Sequence, residues 1–172
     1  MQALPETSQR LCLLRAPELE DAQYHELVSG ATRAADWNRG AQWMLHGSLH
    51  WLQEFPDVAG LQMPWREARR HRNRPIDDGY WLAVSCHNAE EIQHAARLQA
   101  DFITLGPVKP TRSHPDAVSM GIGKFRELVA DAPMVVYGLG GLEIGDEPEM
   151  KSSGAQGIAG ISYWWPGSSP KR

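Results

Sequence analysis

The sequence predicts an α/β protein built on a parallel sheet, and three observations predict it. Short apolar runs recur along the chain without alternating polar and apolar residues, as strands buried on both faces require. Between them lie stretches with helical periodicity and recognisable caps, so strands and helices alternate as βα units. The length of 172 residues, with 42% apolar and 22% charged residues, suits one domain with one sizeable core.

The strand candidates are LCLLRA (11 to 16), QWMLHG (42 to 47), GLQMPW (60 to 65), WLAVSC (81 to 86), FITLGPV (102 to 108), MVVYGLGG (134 to 141) and GIAGIS (157 to 162). A first helix is predicted from about Glu18 to Asp36, with Leu19, Tyr24, Leu27, Val28, Ala31 and Ala35 near one face and Gly40 as its stop. The charged stretch between Pro64 and Gly79 reads as loop with some helix. Asn88 is an N-cap candidate with Glu91 three residues on, ahead of Ile92, Ala95, Ala96 and Leu98. Phe125, Leu128 and Val129 mark a helix that closes before Pro133, and a short helix is expected at Asp146 with Glu149 in the capping-box position. Seven strands with crossovers fit either a doubly wound sheet or a (β/α)8 barrel lacking a strand, and position alone does not choose.

Composition excludes several functions. Seventeen Lys and Arg against 21 Asp and Glu give a net charge of -4, without the clustered positive charge of a nucleic-acid clamp. No apolar run reaches the ~18 to 20 residues of a membrane span, and MQALPETSQR has no signal-peptide core, so a cytoplasmic protein is expected. Cys12 and Cys86 form no CxxC pair; both are expected to be buried reduced thiols. Composition gives the seven Trp no single role.

The most informative chemistry lies in D101-FITLGPVKPTRSHPDAVSMG, where a strand ends in Gly106-Pro107 and a loop presents Lys109, Thr111, Arg112, Ser113 and His114 between prolines. Hydroxyls and cations on a stiffened loop suit an anionic group, although an ordinary solvated loop has the same composition. Two strand ends bear glycine, LGGL (139 to 142) and GIS (160 to 162). Glycine lets a backbone approach a ligand, and in barrels the loops after the last two strands commonly hold phosphate. A bare Gly-Gly is also an ordinary tight turn. His46, His50 and Glu54 are spaced four apart, as metal ligands on one helical face would be, but His46 ends a predicted strand, so no metal set is assigned. Cys86 and His87 are adjacent and point to opposite faces of a strand, which argues for a buried thiol and a loop His rather than a nucleophile pair.

The order of five motifs resembles the thiamine-phosphate synthase and TenI superfamily. These are L-R-A-P-E-L (14 to 19), V-S-C-H-N-A-E-E (84 to 91), L-G-P-V-x-P-T-x-S-H-P (105 to 115), Y-G-L-G-G-L (137 to 142) and A-x-G-I-A-G-I-S (155 to 162). The pattern looks most like the synthase-like domain that follows a Nudix (MutT-type) hydrolase in some bacterial fusions. The resemblance implies a TIM (β/α)8-type barrel, here lacking its first strand and helix, over residues 11 to 165. Residues 1 to 10 would form an extension and 166 to 172 a flexible tail. It implies the joining of an aminopyrimidine pyrophosphate to a thiazole phosphate with release of pyrophosphate and help from Mg²⁺. By resemblance Arg15, Ser85 and His114 belong to the catalytic end, with Thr111, Ser113, Gly140, Gly141, Ile161 and Ser162 holding phosphate groups.

The departures from the family pattern set further expectations. Leu13 and Pro17 stand where the family carries Gln and Lys, His46-Gly47 replaces an Asn-Asp pair, the second metal carboxylate is shifted near Arg66-Glu67, and His114 replaces a Lys. Weakened or lost synthase activity is therefore expected, with a noncatalytic phosphate-binding or interaction module as the alternative. A TenI-like isomerase is a third reading, which no residue fixes. The expected partner is a small phosphorylated ligand. A homo-oligomer contact or a partner chain is expected at the missing-strand gap.

Overall fold

A computed structural model describes residues 10–33, 41–111 and 117–160. Its order is β1 (Arg10–Leu14), α1 (Asp21–Arg33), β2 (Ala41–His46), α2 (His50–Glu54), β3 (Gly60–Met63), α3 (Trp65–Ala68), β4 (Trp81–Cys86), α4 (Ala89–Arg97), β5 (Phe102–Leu105), α5 (Gly121–Ala130), β6 (Val135–Leu139), α6 (Glu147–Ser152) and β7 (Gly157–Ala159). All seven strands are parallel and neighbour one another in chain order from β1 to β7. A doubly wound sheet reverses its strand order partway, and this one does not. The fold is that of a TIM-like barrel with seven strands, open between β7 and β1 among the described residues.

Strand register separates two faces. Leu45, Leu61, Leu82, Val84, Ile103, Leu105 and Val136 face the helices, where Val28, Ile92, Leu98, Phe125, Leu128 and Met150 complete the core. Each fully buried Leu or Phe of this kind contributes about 1.5–3 kcal/mol. Gly138 in β6 leaves room for this packing, because a Cβ there would sit 3.1 Å from the Met150 sulfur and 3.3 Å from the Phe125 ring. The opposite face lines the barrel interior. There Gln62 and Thr104, both buried, join β3 to β5 by a 2.9 Å hydrogen bond.

Several boundaries differ from the sequence expectation, each for a local reason. The first helix starts at Asp21 rather than Glu18, because residues 16–19 form a turn closed by Leu19 N–H on the Ala16 carbonyl. The Gln23 side chain then accepts from the Glu20 amide, marking the true start. The strand expected over 102 to 108 stops at Leu105, where a cis Gly106-Pro107 bond turns the chain. The capping box expected at Asp146 and Glu149 is formed instead by Glu143 and Asp146 on a single 3-10 turn, and α6 follows without a side-chain cap. Asn88 does cap α4, accepting from the Glu91 amide at 3.0 Å. Cys86 is buried as expected, but Cys12 is only half-buried.

Arg74 fastens the lower end of the sheet. Its guanidinium donates to the Tyr80 and Gln99 carbonyls and to Asp101, whose carboxylate also accepts the Leu82 amide. Also at that end, Leu11, Gln42, Trp81, Phe102, Val135 and Tyr137 line a cavity of about 280 Å³. No helix among the described residues is long and apolar enough to cross a membrane.

Candidate functional site at the carboxyl ends of the strands

In a parallel barrel the loops that follow the strands share one end of the molecule, where ligands bind. Arg15 follows β1, His46 ends β2, Arg66 lies in the first turn after β3, and Ser85 is the penultimate residue of β4. Thr111 lies in the loop after β5, and Gly140-Gly141 follow β6. Five predicted residues, Arg15, Ser85, Thr111, Gly140 and Gly141, are thus brought to one end. Ser113, His114, Ile161 and Ser162 lie outside the described residues.

The register aligns the first two. Leu13 pairs with Met44 and Leu14 with Leu45, so Arg15 comes beside His46 on the interior face, and His46 pairs with Gln62 on the far side. Tyr24 of α1 fixes this junction. Its hydroxyl donates to the Leu14 carbonyl at 2.7 Å and accepts from the His46 amide at 3.0 Å. The ring is held edge-on against Trp51, with centroids 4.7 Å apart. Burial, followed by the nearby charges of Arg15 and Arg66, pushes His46 down to about 4. His46 is neutral at pH 7.

The loops after β5 and β6 run side by side. Val108 donates to the Leu139 carbonyl at 2.9 Å and Lys109 to the Gly140 carbonyl at 3.0 Å. Gly140 and Gly141 have φ values of +95° and +65°. A Cβ on Gly140 would fall 2.7 Å from the Pro107 Cα, and one on Gly141 would fall 2.8 Å from the Lys109 Cβ. Both glycines are therefore needed for loop to meet loop. A ligand is not required to explain them.

Two sequence-level candidates are settled by their partners. Lys109, expected to face an anion, donates to Asp146 at 2.7 Å; that bond raises the Lys109 ammonium above its usual range and lowers the Asp146 carboxyl. Cys86 is 1% exposed, and burial holds its thiol well above the normal range, so it is no nucleophile. His87 beside it is half exposed, and its Nδ1 lies 2.7 Å from the Glu91 carboxylate. His50 begins α2 and lies 2.6 Å from Ser48 Oγ, whereas His46 ends β2, so the His46, His50 and Glu54 spacing does not form one helical face.

Sequence reasoning set His46 and Arg66 at family positions where metal ligands are replaced or shifted, and gave neither a place beside Arg15. The available signal was that each ends or follows one of three consecutive strands.

Mg²⁺ takes hard oxygen ligands in near-octahedral geometry. The described part of this mouth offers two guanidinium groups, an imidazole and the Ser85 and Thr111 hydroxyls, and its Asp146 carboxylate is already engaged by Lys109. Glu67, next in sequence to Arg66, is engaged by Arg70 at 2.9 Å and by His71 at 3.7 Å. The described residues contain no group of three His, Cys, Asp or Glu that could hold a metal. This donor set does not fit the ion.

Fold and strand order define the class, a TIM-like (β/α) barrel with polar groups gathered at the carboxyl ends of its strands. The family model described as thiamine monophosphate synthase (TMP-TENI) matches residues 2–163, and the chain belongs to that family. A protein of Aquifex aeolicus, provisionally named a second thiamine-phosphate synthase, is 28% identical over 161 residues, covering 90% of this chain and 82% of its own. The thiamine-phosphate synthase of Methanocella arvoryzae is 36% identical over 106 residues, 61% of this chain and 48% of that protein. That of Lactococcus lactis is 32% identical over 93 residues, 54% of this chain and 43% of that protein. The chain therefore spans about half or less of the length of the latter two. Among solved structures, the thiamine phosphate pyrophosphorylase from Pyrococcus furiosus superposes with a TM-score of 0.69 at 21% identity, over 88% of this chain and 71% of that one.

Proposed function

We propose that this chain is a thiamine-phosphate synthase-type domain that binds a phosphorylated thiazole, and a diphosphate ester of an aminopyrimidine, at the carboxyl ends of its strands. The observation that carries this reading is the convergence of Arg15, Ser85, Thr111 and Gly140-Gly141 at one end of a family barrel. In the family reaction the thiazole nitrogen forms a bond to the pyrimidine methylene carbon as the bond from that carbon to the pyrophosphate oxygen breaks. No protein nucleophile is needed. The role of Arg15 and Ser85, with Ser113 and His114, is to stabilise charge on the departing group, while the Gly140-Gly141 and Ile161-Ser162 loops hold the thiazole phosphate. The domain spans 11 to 165, of the type that follows a Nudix hydrolase, and works in the cytoplasm.

His46-Gly47 in place of the family's Asn-Asp pair favours a second reading, a phosphate-ligand module that binds without turnover. A coupling assay with both phosphorylated substrates, run beside calorimetry with each one, separates the two. Binding with product formation supports the transferase. Binding without product supports the module, and no binding of either substrate refutes both.

A further inference from the structure

Three consecutive strands deliver three nitrogen-bearing side chains to one place, and among the described residues no carboxylate is paired with any of them. Arg15 comes beside His46 in register, Tyr24 ties their two strand ends together, and Arg66 follows the next strand. Arg15 and Arg66 are exposed, and neither has an ion-pair partner among the described residues. Of the carboxylates nearest in sequence, Glu67 beside Arg66 is turned to Arg70 and His71, and Glu18, three residues beyond Arg15, forms no ion pair with it. Two uncompensated guanidinium groups over a polar floor form a site for an anion that can accept several hydrogen bonds at once. A divalent cation placed there would be repelled by the same two charges.

We propose that Arg15, His46 and Arg66 bind a diphosphate group directly, with no divalent metal between protein and ligand. The proposal rests on the reading above that this end of the barrel takes phosphorylated precursors, and it departs from the Mg²⁺ dependence that the family implies. Arg15 and Arg66 supply the charge and paired N–H donors. His46 supplies one further donor or acceptor at the wall, held in place by its backbone bond to Tyr24. Diphosphate is the fitting class, because its four ionisable oxygens span more than one guanidinium, whereas a carboxylate satisfies a single one.

The test is calorimetric titration of the protein with inorganic pyrophosphate, in EDTA and again in excess Mg²⁺, beside a titration with the phosphorylated thiazole. Saturable binding in EDTA is expected, and it should weaken in Mg²⁺ because the metal neutralises the free ligand. Arg15→Ala and Arg66→Ala should each weaken it about 10- to 100-fold, the scale of a charge-assisted hydrogen bond. Both residues are exposed, so the variants should keep the parent's thermal midpoint. Pyrophosphate binding that requires Mg²⁺, or that both variants leave unchanged, overturns the inference. Thiazole phosphate binding without metal-free pyrophosphate binding overturns this inference alone, and absence of both overturns the functional reading as well.

Discussion

Gln62 on β3 donates through Nε2 to the Thr104 hydroxyl on β5 at 2.9 Å, reaching past the intervening strand where Ala83 stands in register with Gln62. Both residues are buried, at 4% and 7% exposure. The small side chain at Ala83 leaves the path clear, so two polar groups satisfy each other in the barrel interior.

Replacing one partner should cost more than replacing both. Thr104→Val leaves the Gln62 amide without this acceptor, and Gln62→Leu removes the donor from Thr104; each should destabilise by about 1–3 kcal/mol. The double variant should lose clearly less than the sum. Urea denaturation of the four proteins measures this, and strict additivity would show the bond to be unimportant.

Tyr24→Phe keeps the ring against Trp51 and removes the hydroxyl that joins the Leu14 carbonyl to the His46 amide. Two backbone groups lose a partner, and a stability loss of about 1–3 kcal/mol is expected. Because the same hydroxyl holds Arg15 beside His46, pyrophosphate affinity should fall too, although Tyr24 touches no ligand. Denaturation and calorimetry on one preparation report both effects, and unchanged affinity would show that the strand ends stay in place without it.

His46 makes stability depend on pH with a definite sign. Its folded value, about 4, lies below the ordinary 6.5. The unfolded chain therefore binds the proton more readily, so stability falls as pH drops from about 6.5 through 4. The loss approaches about 3 kcal/mol once both states are protonated. Burial contributes most, and the charged neighbours facing the ring are Arg15 and Arg66. His46→Gln should flatten this part of the stability profile measured from pH 7 to pH 4, and a parent slope retained in the variant would assign the effect elsewhere.

Gly141→Ala places a Cβ against Lys109 and the Pro110 carbonyl at a positive φ, so its effect begins with the loop junction. A loss of about 1–3 kcal/mol is expected, together with weaker binding of a phosphorylated thiazole. Gly141→Asp adds a negative charge at the same place and should weaken that binding further. An alanine variant with parental stability would show that the two loops can separate freely.

The sequence made much of the architecture legible, because apolar runs on both faces and capped helices are local signals. Asn88 and Glu91 announced α4, and Phe125, Leu128 and Val129 announced α5. The open choice between a barrel and a doubly wound sheet was settled by strand order, which depends on long-range pairing that no local pattern encodes. At the candidate site, Arg15 and Ser85 were singled out through motif order. The tie between Arg15 and His46 was not, because Tyr24 reaches both strand ends from a helix and its sequence context marks it only as a core residue. Gly140 and Gly141 were singled out for their backbone freedom as a ligand loop, but the neighbour that needs that freedom is the loop from Pro107 to Pro110.

The succession of strands from β1 to β7 also bears on how the molecule assembles. Every registered pair joins a strand to the next one made, so among the described residues no sheet contact waits for a distant segment. Loop closure costs little when each pairing spans one helical crossover. The chain can thus zip from its amino-terminal end during synthesis, each new βα unit docking on a finished edge. Truncations from the carboxyl end should accordingly leave compact intermediates, whereas loss of β4 would divide the growing sheet in two.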